Sequence, residues 1–286
     1  MDQGNLRMIA PLTATHQTTD SNKMKKTVFA IGAHPDDIEF VMAGTMMLLK
    51  MSGYDLHYMN IANGSCGSTQ LDGKSIARIR GDEARNAASY LGAAFHESLV
   101  NDFEIVYSLP LLSRLTSIIR QVNPSILLVH SPQDYMEDHV NASRLAVTAA
   151  FCRGMPNFPV DPHRDHVDDE VTIYHAQPHG NRDQLGCLIR PQTYVDISSV
   201  IESKETMLSF HASQKHWLDE SQGMDSYLET MRSLAREVGD MSQTFDFAEG
   251  WRKHSPLGFC SAHADPLKAA LEDRAVVPCQ ALSCEV

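Results

Sequence analysis

The chain lacks any stretch approaching the ~20 apolar residues that a membrane-spanning helix needs. It is also short of positive charge, with 24 Lys and Arg against 36 Asp and Glu and a net charge of −12. No basic run or basic helix reverses that balance locally, which argues against a nucleic-acid partner. Its six cysteines (Cys66, Cys152, Cys187, Cys260, Cys279 and Cys284) form no CxxC pair and follow no regular spacing. They read as reduced thiols of a cytoplasmic protein rather than a disulfide frame. Internal repeats and low-complexity segments are missing too. What remains is 286 residues, 43% apolar and 21% charged, an ordinary globular balance at a length that fits one large α/β domain or two small ones.

Residues 1–23 show no apolar periodicity and no signal-peptide pattern, so they are expected to be a flexible tail, with Met24 an alternative start. Residues 24–286 are expected to form a single α/β domain with a C-terminal elaboration. Residues 27–33, TVFAIGA, are a continuous β-prone run suited to a parallel strand covered on both faces. The polar tetrapeptide HPDD follows directly, then an apolar helix ending near Gly53. Further along, strands are expected at residues 56–62, 95–99 and 126–129. Helices are expected at about 76–91 with Ser75 as cap, at 109–122 and at 139–151. Alternating strands and helices with short connections imply a Rossmann-like, doubly wound, mostly parallel sheet with helices on both faces. Residues 153–169 read as a surface excursion. Later strands are expected at 171–175 and 194–197, with helices at 199–213 and 224–238, in an arrangement the pattern does not give.

In such sheets ligands bind beyond the carboxyl ends of the strands. That rule gathers residues 34–37, the glycine-containing loop 63–73 and residues 130–139 on one rim. His34 and Asp37, three apart in a tight turn, can share one divalent ion, and His139 at another strand-to-helix junction can complete a His/Asp/His set. A three-ligand set with an open position is how catalytic zinc is held. Asp36, beside Asp37 but facing the other way, suits a general base. Taken singly, HPDD could be a capping turn and Asp138-His139 a chance dipeptide; their joint position on one rim favours the metal site.

The run His34-Pro-Asp-Asp-Ile-Glu39 after an apolar strand, Arg80-x-x-Glu83 with Ala87, Ala88, Leu91 and Gly92, and Asp138-His139 a hundred residues later resemble the PIG-L/LmbE-like zinc deacetylases. The similarity spans about residues 24–151. Such enzymes remove N-acetyl groups from glucosamine-containing molecules, among them precursors of GPI anchors, mycothiol and bacillithiol, chitobiose, and some antibiotics. The resemblance implies a metal-dependent hydrolase acting on an N-acetylglucosamine-type amino sugar, with zinc on His34, Asp37 and His139 and Asp36 as base. Fe2+ and Co2+ are alternatives that such donors also accept. It implies a substrate- or carboxylate-contacting role for Arg80, and it is compatible with a homo-oligomer. The other reading of the same motifs is a metal-binding, non-catalytic regulatory member of the fold. A nucleotide-binding Rossmann protein is disfavoured, because HPDD occupies the turn where GxGxxG would lie.

One position departs from the family pattern. A His usually stands three residues before the metal-binding His and polarises the acyl oxygen; here that position is Met136, which has no hydrogen to donate. His130, His254 and His263 are the candidates to replace it, the latter two also from a neighbouring subunit. Asp134 could orient a ring or Arg80, Asp138 could hold His139 or a neighbouring base, and Glu39 and Glu83 could cap a helix or pair with Arg80. His163, His166, His175, His179, His211 and His216 read as solvated or structural. Trp217, Trp251, Phe245 and Phe247 could stack on a sugar, although core packing is the commoner fate of such rings.

Overall fold

The computed structural model describes residues 26–215 and 227–278. The expected tail, the Met24 start, His216, Trp217, Cys279 and Cys284 lie outside the described residues. The chain order runs β1 (Thr27–Gly32), α1 (Asp37–Val41), α2 (Ala43–Met51), β2 (Asp55–Asn60), α3 (Gly73–Leu91), β3 (Ala94–His96), α4 (Leu109–Val122) and β4 (Ile126–Val129). It continues with α5 (Glu137–Cys152), β5 (Thr172–Ala176), β6 (Thr193–Asp196), α6 (Ile201–Leu208), α7 (Tyr227–Ser242), β7 (Ala248–Lys253), α8 (Pro266–Leu271) and β8 (Ala275–Val276).

The strands form one sheet in the order β3-β2-β1-β4-β5-β7-β6-β8. The first five are parallel, in the doubly wound arrangement the alternation predicts. Successive residues of β1 face opposite layers. Val28 and Ala30 join the core beneath α2, α3, α6 and α7, while Phe29 and Ile31 join the core beneath α4 and α5. Because both faces are covered, β1 and β4 are apolar without alternation, which is why the pattern identified them.

Three local differences from the sequence expectation have physical causes. The first helix is broken at Met42 into α1 and α2, and the carboxylate of Glu249, from β7, accepts from the freed N–H groups of Gly44 and Thr45 at 2.8 and 2.7 Å. Helix α3 begins before Ser75, because Asp72 is the cap and accepts from the Ser75 N–H. Strand β7 was not expected at all. It runs antiparallel between β5 and β6, and its sequence AEGWRK mixes polar and apolar residues because Glu249 is neutralised inside the fold by Lys204 Nζ at 2.6 Å.

Candidate metal centre and active-site pocket

The end of β1 is fixed by its own polar residues. Asp37 Oδ2 accepts from the N–H groups of His34 and Ala33 at 2.7 and 3.1 Å, and Asn60 at the end of β2 donates to the His34 carbonyl at 2.6 Å. A side chain at Gly32 would meet that Asn60 amide at 2.7 Å, so the turn needs glycine there. Asp36 has a φ of 110°, a conformation unusual for a residue with a Cβ and characteristic of functional turns.

His34, Asp37 and His139 each offer a ligand atom, and the three atoms lie within 4.8 Å of one another. Among the described residues a second such group, His130, Asp134 and His139, shares one member. In it Asp134 Oδ1 lies 3.0 Å from His139 Nδ1, leaving His139 Nε2 on the Asp37 side, 3.3 Å from Asp37 Oδ1. His130 Nε2 lies 2.9 Å from the Ala33 nitrogen and 3.1 Å from Asp37 Oδ2. Asp134 thus orients a ring and does not touch Arg80. Asp138 lies on His34 Nε2 at 3.0 Å rather than on His139.

The electrostatics fit a cation. Burial alone would lower the His34 pKa, but hydrogen bonds to Asp138 and Asp37 outweigh it and lift the imidazole to about 9. Burial likewise opposes a charge on His139, yet Asp37 and Asp134 raise it to about 10. Asp37 is held well below the usual carboxylate range, since the charges on His139 and His130 overcome its burial. Two imidazoles drawn toward the protonated state around an ionised carboxylate make a donor set in which a divalent ion would replace the protons.

Asp36 is the neighbouring carboxylate. Burial raises its pKa, an effect reduced by the Arg80 guanidinium. Tyr227 donates to its Oδ2 at 2.6 Å, and Arg80 Nη2 lies 3.4 Å from Oδ1. Buried Arg80 also donates to the Pro35 carbonyl, and the loop 63–73 wraps it closely: a Cβ at Gly64 or Gly67 would come within 2.5 Å of the guanidinium arm. Glu39 and Glu83 do not pair with Arg80. Glu39 accepts from Tyr58 at 3.1 Å and faces His211 at 3.2 Å, while Glu83 holds Ser213 at 2.6 Å.

The pocket above these groups is lined by His34, Asp36, Asp37, Phe40, Cys66, Gly67, Arg80, Asp102, Phe103, Tyr135, Met136, His139, His179 and Gln214. The loop 63–73 therefore does supply part of the rim. His263 is exposed and away from it, and His254 pairs with His175 at 2.9 Å instead. Trp251 and Phe247 are core residues, and Phe245 packs on a small cluster with Val238. Among the described residues the Phe and Tyr rings at the pocket are Phe40, Phe103 and Tyr135. Sequence reasoning missed Tyr227, whose only signal was a tyrosine on an amphipathic helix. It also set aside His179, which lines the pocket, and His211, which is buried against Glu39.

A doubly wound sheet bearing, at its carboxyl edge, a His/Asp/His group that could hold a metal ion beside a buried carboxylate has the layout of a metal-dependent α/β enzyme. Residues 29–150 match the model of the PIG-L family, described as GlcNAc-PI de-N-acetylase. The chain is 31% identical over 206 residues to the diacetylchitobiose deacetylase of Thermococcus kodakarensis, a match covering 68% of this chain and 71% of that one. It is also 26% identical over 203 residues to the 4-oxalmesaconate hydratase of Pseudomonas putida, covering 68% and 76%. The solved N,N′-diacetylchitobiose deacetylase of Pyrococcus horikoshii, bound to its inhibitor MPG, superposes with a TM-score of 0.68 at 26% identity over 81% of this chain and 85% of that one. This chain belongs to the PIG-L family. Among the described residues no helix is long and apolar enough to cross a membrane.

Proposed function

We propose that the protein hydrolyses the N-acetyl group of an N-acetylglucosamine-containing sugar, with His34, Asp37 and His139 holding zinc. The observation that carries this reading is the convergence of three ligand atoms within 4.8 Å on the wall of a pocket that Asp36 also lines. When bound, such an ion acts as a Lewis acid and lowers the pKa of water toward neutrality. Asp36 accepts the proton of the attacking water as the new C–O bond forms. The C–N bond then breaks, and the proton passes from Asp36 to the departing amine, giving acetate and a free amino sugar. Tyr227 and Arg80 keep the Asp36 carboxylate aimed during both transfers.

The test is acetate release from N,N′-diacetylchitobiose and N-acetylglucosamine by zinc-loaded protein, with Asp36→Asn as control. The variant is expected to keep stoichiometric zinc and lose turnover; full turnover would remove Asp36 from the role of base.

The hydratase relative motivates a second reading, addition of water to an unsaturated polycarboxylate. The lining favours the amide. Among the described residues Arg80 is the one Lys or Arg of the lining, and its Nη2 is engaged with Asp36 and the Pro35 carbonyl, whereas Asp36, Asp37 and Asp102 all face the pocket. Hydration of 4-oxalmesaconate without acetate release from either sugar would reverse that preference.

A further inference from the structure

Resting on the deacetylase reading, the pocket requires a donor for the charge that builds on the acyl oxygen as the amide is attacked. Such donors account for about a hundredfold or more in rate. Most polar side chains of the lining are committed. Arg80 Nη2 serves Asp36 and the Pro35 carbonyl, its Nε is shut away from the pocket, buried beside Gly64, and Gln214 donates to the Gly67 carbonyl at 3.1 Å. Met136, which immediately precedes α5, has no hydrogen to give.

His179 is different. It follows β5, the strand next to β4, so the topology delivers it to the same rim as His139. Its main-chain N–H lies 3.4 Å from Asp134 Oδ2, the carboxylate whose other oxygen holds His139. One side chain therefore sets the position of both histidines. The turn is fixed from behind as well, because Asn181 donates to the Leu234 carbonyl at 3.2 Å and to Glu237 at 2.8 Å on α7. The ring packs edge-on against Phe40, with centroids 5.0 Å apart and planes at 68°, and lies 6.0 Å from the Tyr135 ring. Among the described residues neither ring nitrogen has a hydrogen-bond partner, although the ring lines the pocket. An imidazole carries an N–H in either of its neutral tautomers, so the ring has a hydrogen to give into the pocket.

We propose that the ring N–H of His179 is the hydrogen-bond donor to the acyl oxygen of the substrate. No proton leaves the ring; the bond strengthens as the oxygen gains charge. Tyr135 is the competing donor in the same pocket.

The experiment compares zinc-loaded wild type with His179→Ala, His179→Gln, His179→Ala/Met136→His and Tyr135→Phe. It measures zinc content, kcat and KM for acetate release from N,N′-diacetylchitobiose, and affinity for methylphosphonate, a tetrahedral oxyanion. His179→Ala is expected to keep its zinc and its KM within about threefold while kcat falls roughly a hundredfold. Part of that loss should return in His179→Gln, which retains an N–H, and in the double variant, which places a new donor on the pocket wall. A kcat within threefold of wild type in His179→Ala overturns the proposal, as does a larger loss in Tyr135→Phe than in His179→Ala. If the wild type releases no acetate, the deacetylase reading fails separately. Methylphosphonate affinity then decides: a tenfold or greater loss in His179→Ala supports the donor role, and unchanged affinity refutes it.

Discussion

Replacing Asp134 by Asn tests whether the proposed metal group is held by its surroundings or only by its three proposed ligands, His34, Asp37 and His139. Asp134 is 3% exposed. One oxygen lies 3.0 Å from His139 Nδ1 and accepts from the Met136 N–H at 3.2 Å, while the other faces the His179 N–H at 3.4 Å. An amide keeps the shape and one acceptor but removes the charge, and charge-assisted bonds are roughly twice as strong as neutral ones. Loss of such an outer partner typically weakens metal binding by about 10–100-fold, equivalent to about 1.4–2.8 kcal/mol. The effect should grow with pH. In the wild type, Asp134 helps raise His139 to about 10, so protons compete with the metal throughout the neutral range. The variant binds that proton less tightly, which partly offsets its deficit at low pH and leaves the full deficit where proton competition ends. Zinc titration of metal-free protein against a competing chelator, at several pH values, measures this directly. Asp102→Asn is the control. Asp102 lines the same pocket but accepts from the Gly64 and Cys66 N–H groups at 2.7 and 2.8 Å, so its loss should leave zinc affinity within about threefold. Equal affinities for Asp134→Asn and wild type at every pH would refute the reasoning.

Two further outcomes follow from buried contacts. Tyr227→Phe removes a donor that favours the ionised form of Asp36, so the Asp36 pKa rises and the acid limb of the kcat/KM profile moves to higher pH; an unmoved limb would show that Asp36 is not the titrating base. Lys204→Met strips the cation from Glu249, which stays buried with only the Gly44 and Thr45 N–H groups. Chemical denaturation should register a loss of about 3–5 kcal/mol, and a change below about 1 kcal/mol would mean that the pair contributes little.

The parallel half of the sheet was legible because its strands are buried on both faces and each lies beside its neighbour in simple alternation with helices. The antiparallel half was not. Strand β7 is the last to be made before β8 yet sits in the middle of the order between β5 and β6, and its Glu249 is stable there only through Lys204 from α6 and the N-terminus of α2. No local window contains those partners. The same holds for the first helix, whose continuous apolar pattern hides a break at Met42 that Glu249 makes tolerable.

The sequence by itself determined the candidate ligands and base, because His34, Asp36, Asp37 and His139 sit where strands give way to helices and that position is local information. Only the tertiary structure decided what surrounds them. Asp138 reaches His34 across 104 residues, Tyr227 reaches Asp36 across 191, and His179 comes to the pocket because β5 is laid beside β4. Those partners are chosen by chain topology and by the need to satisfy buried charge, and neither leaves a spacing in the sequence.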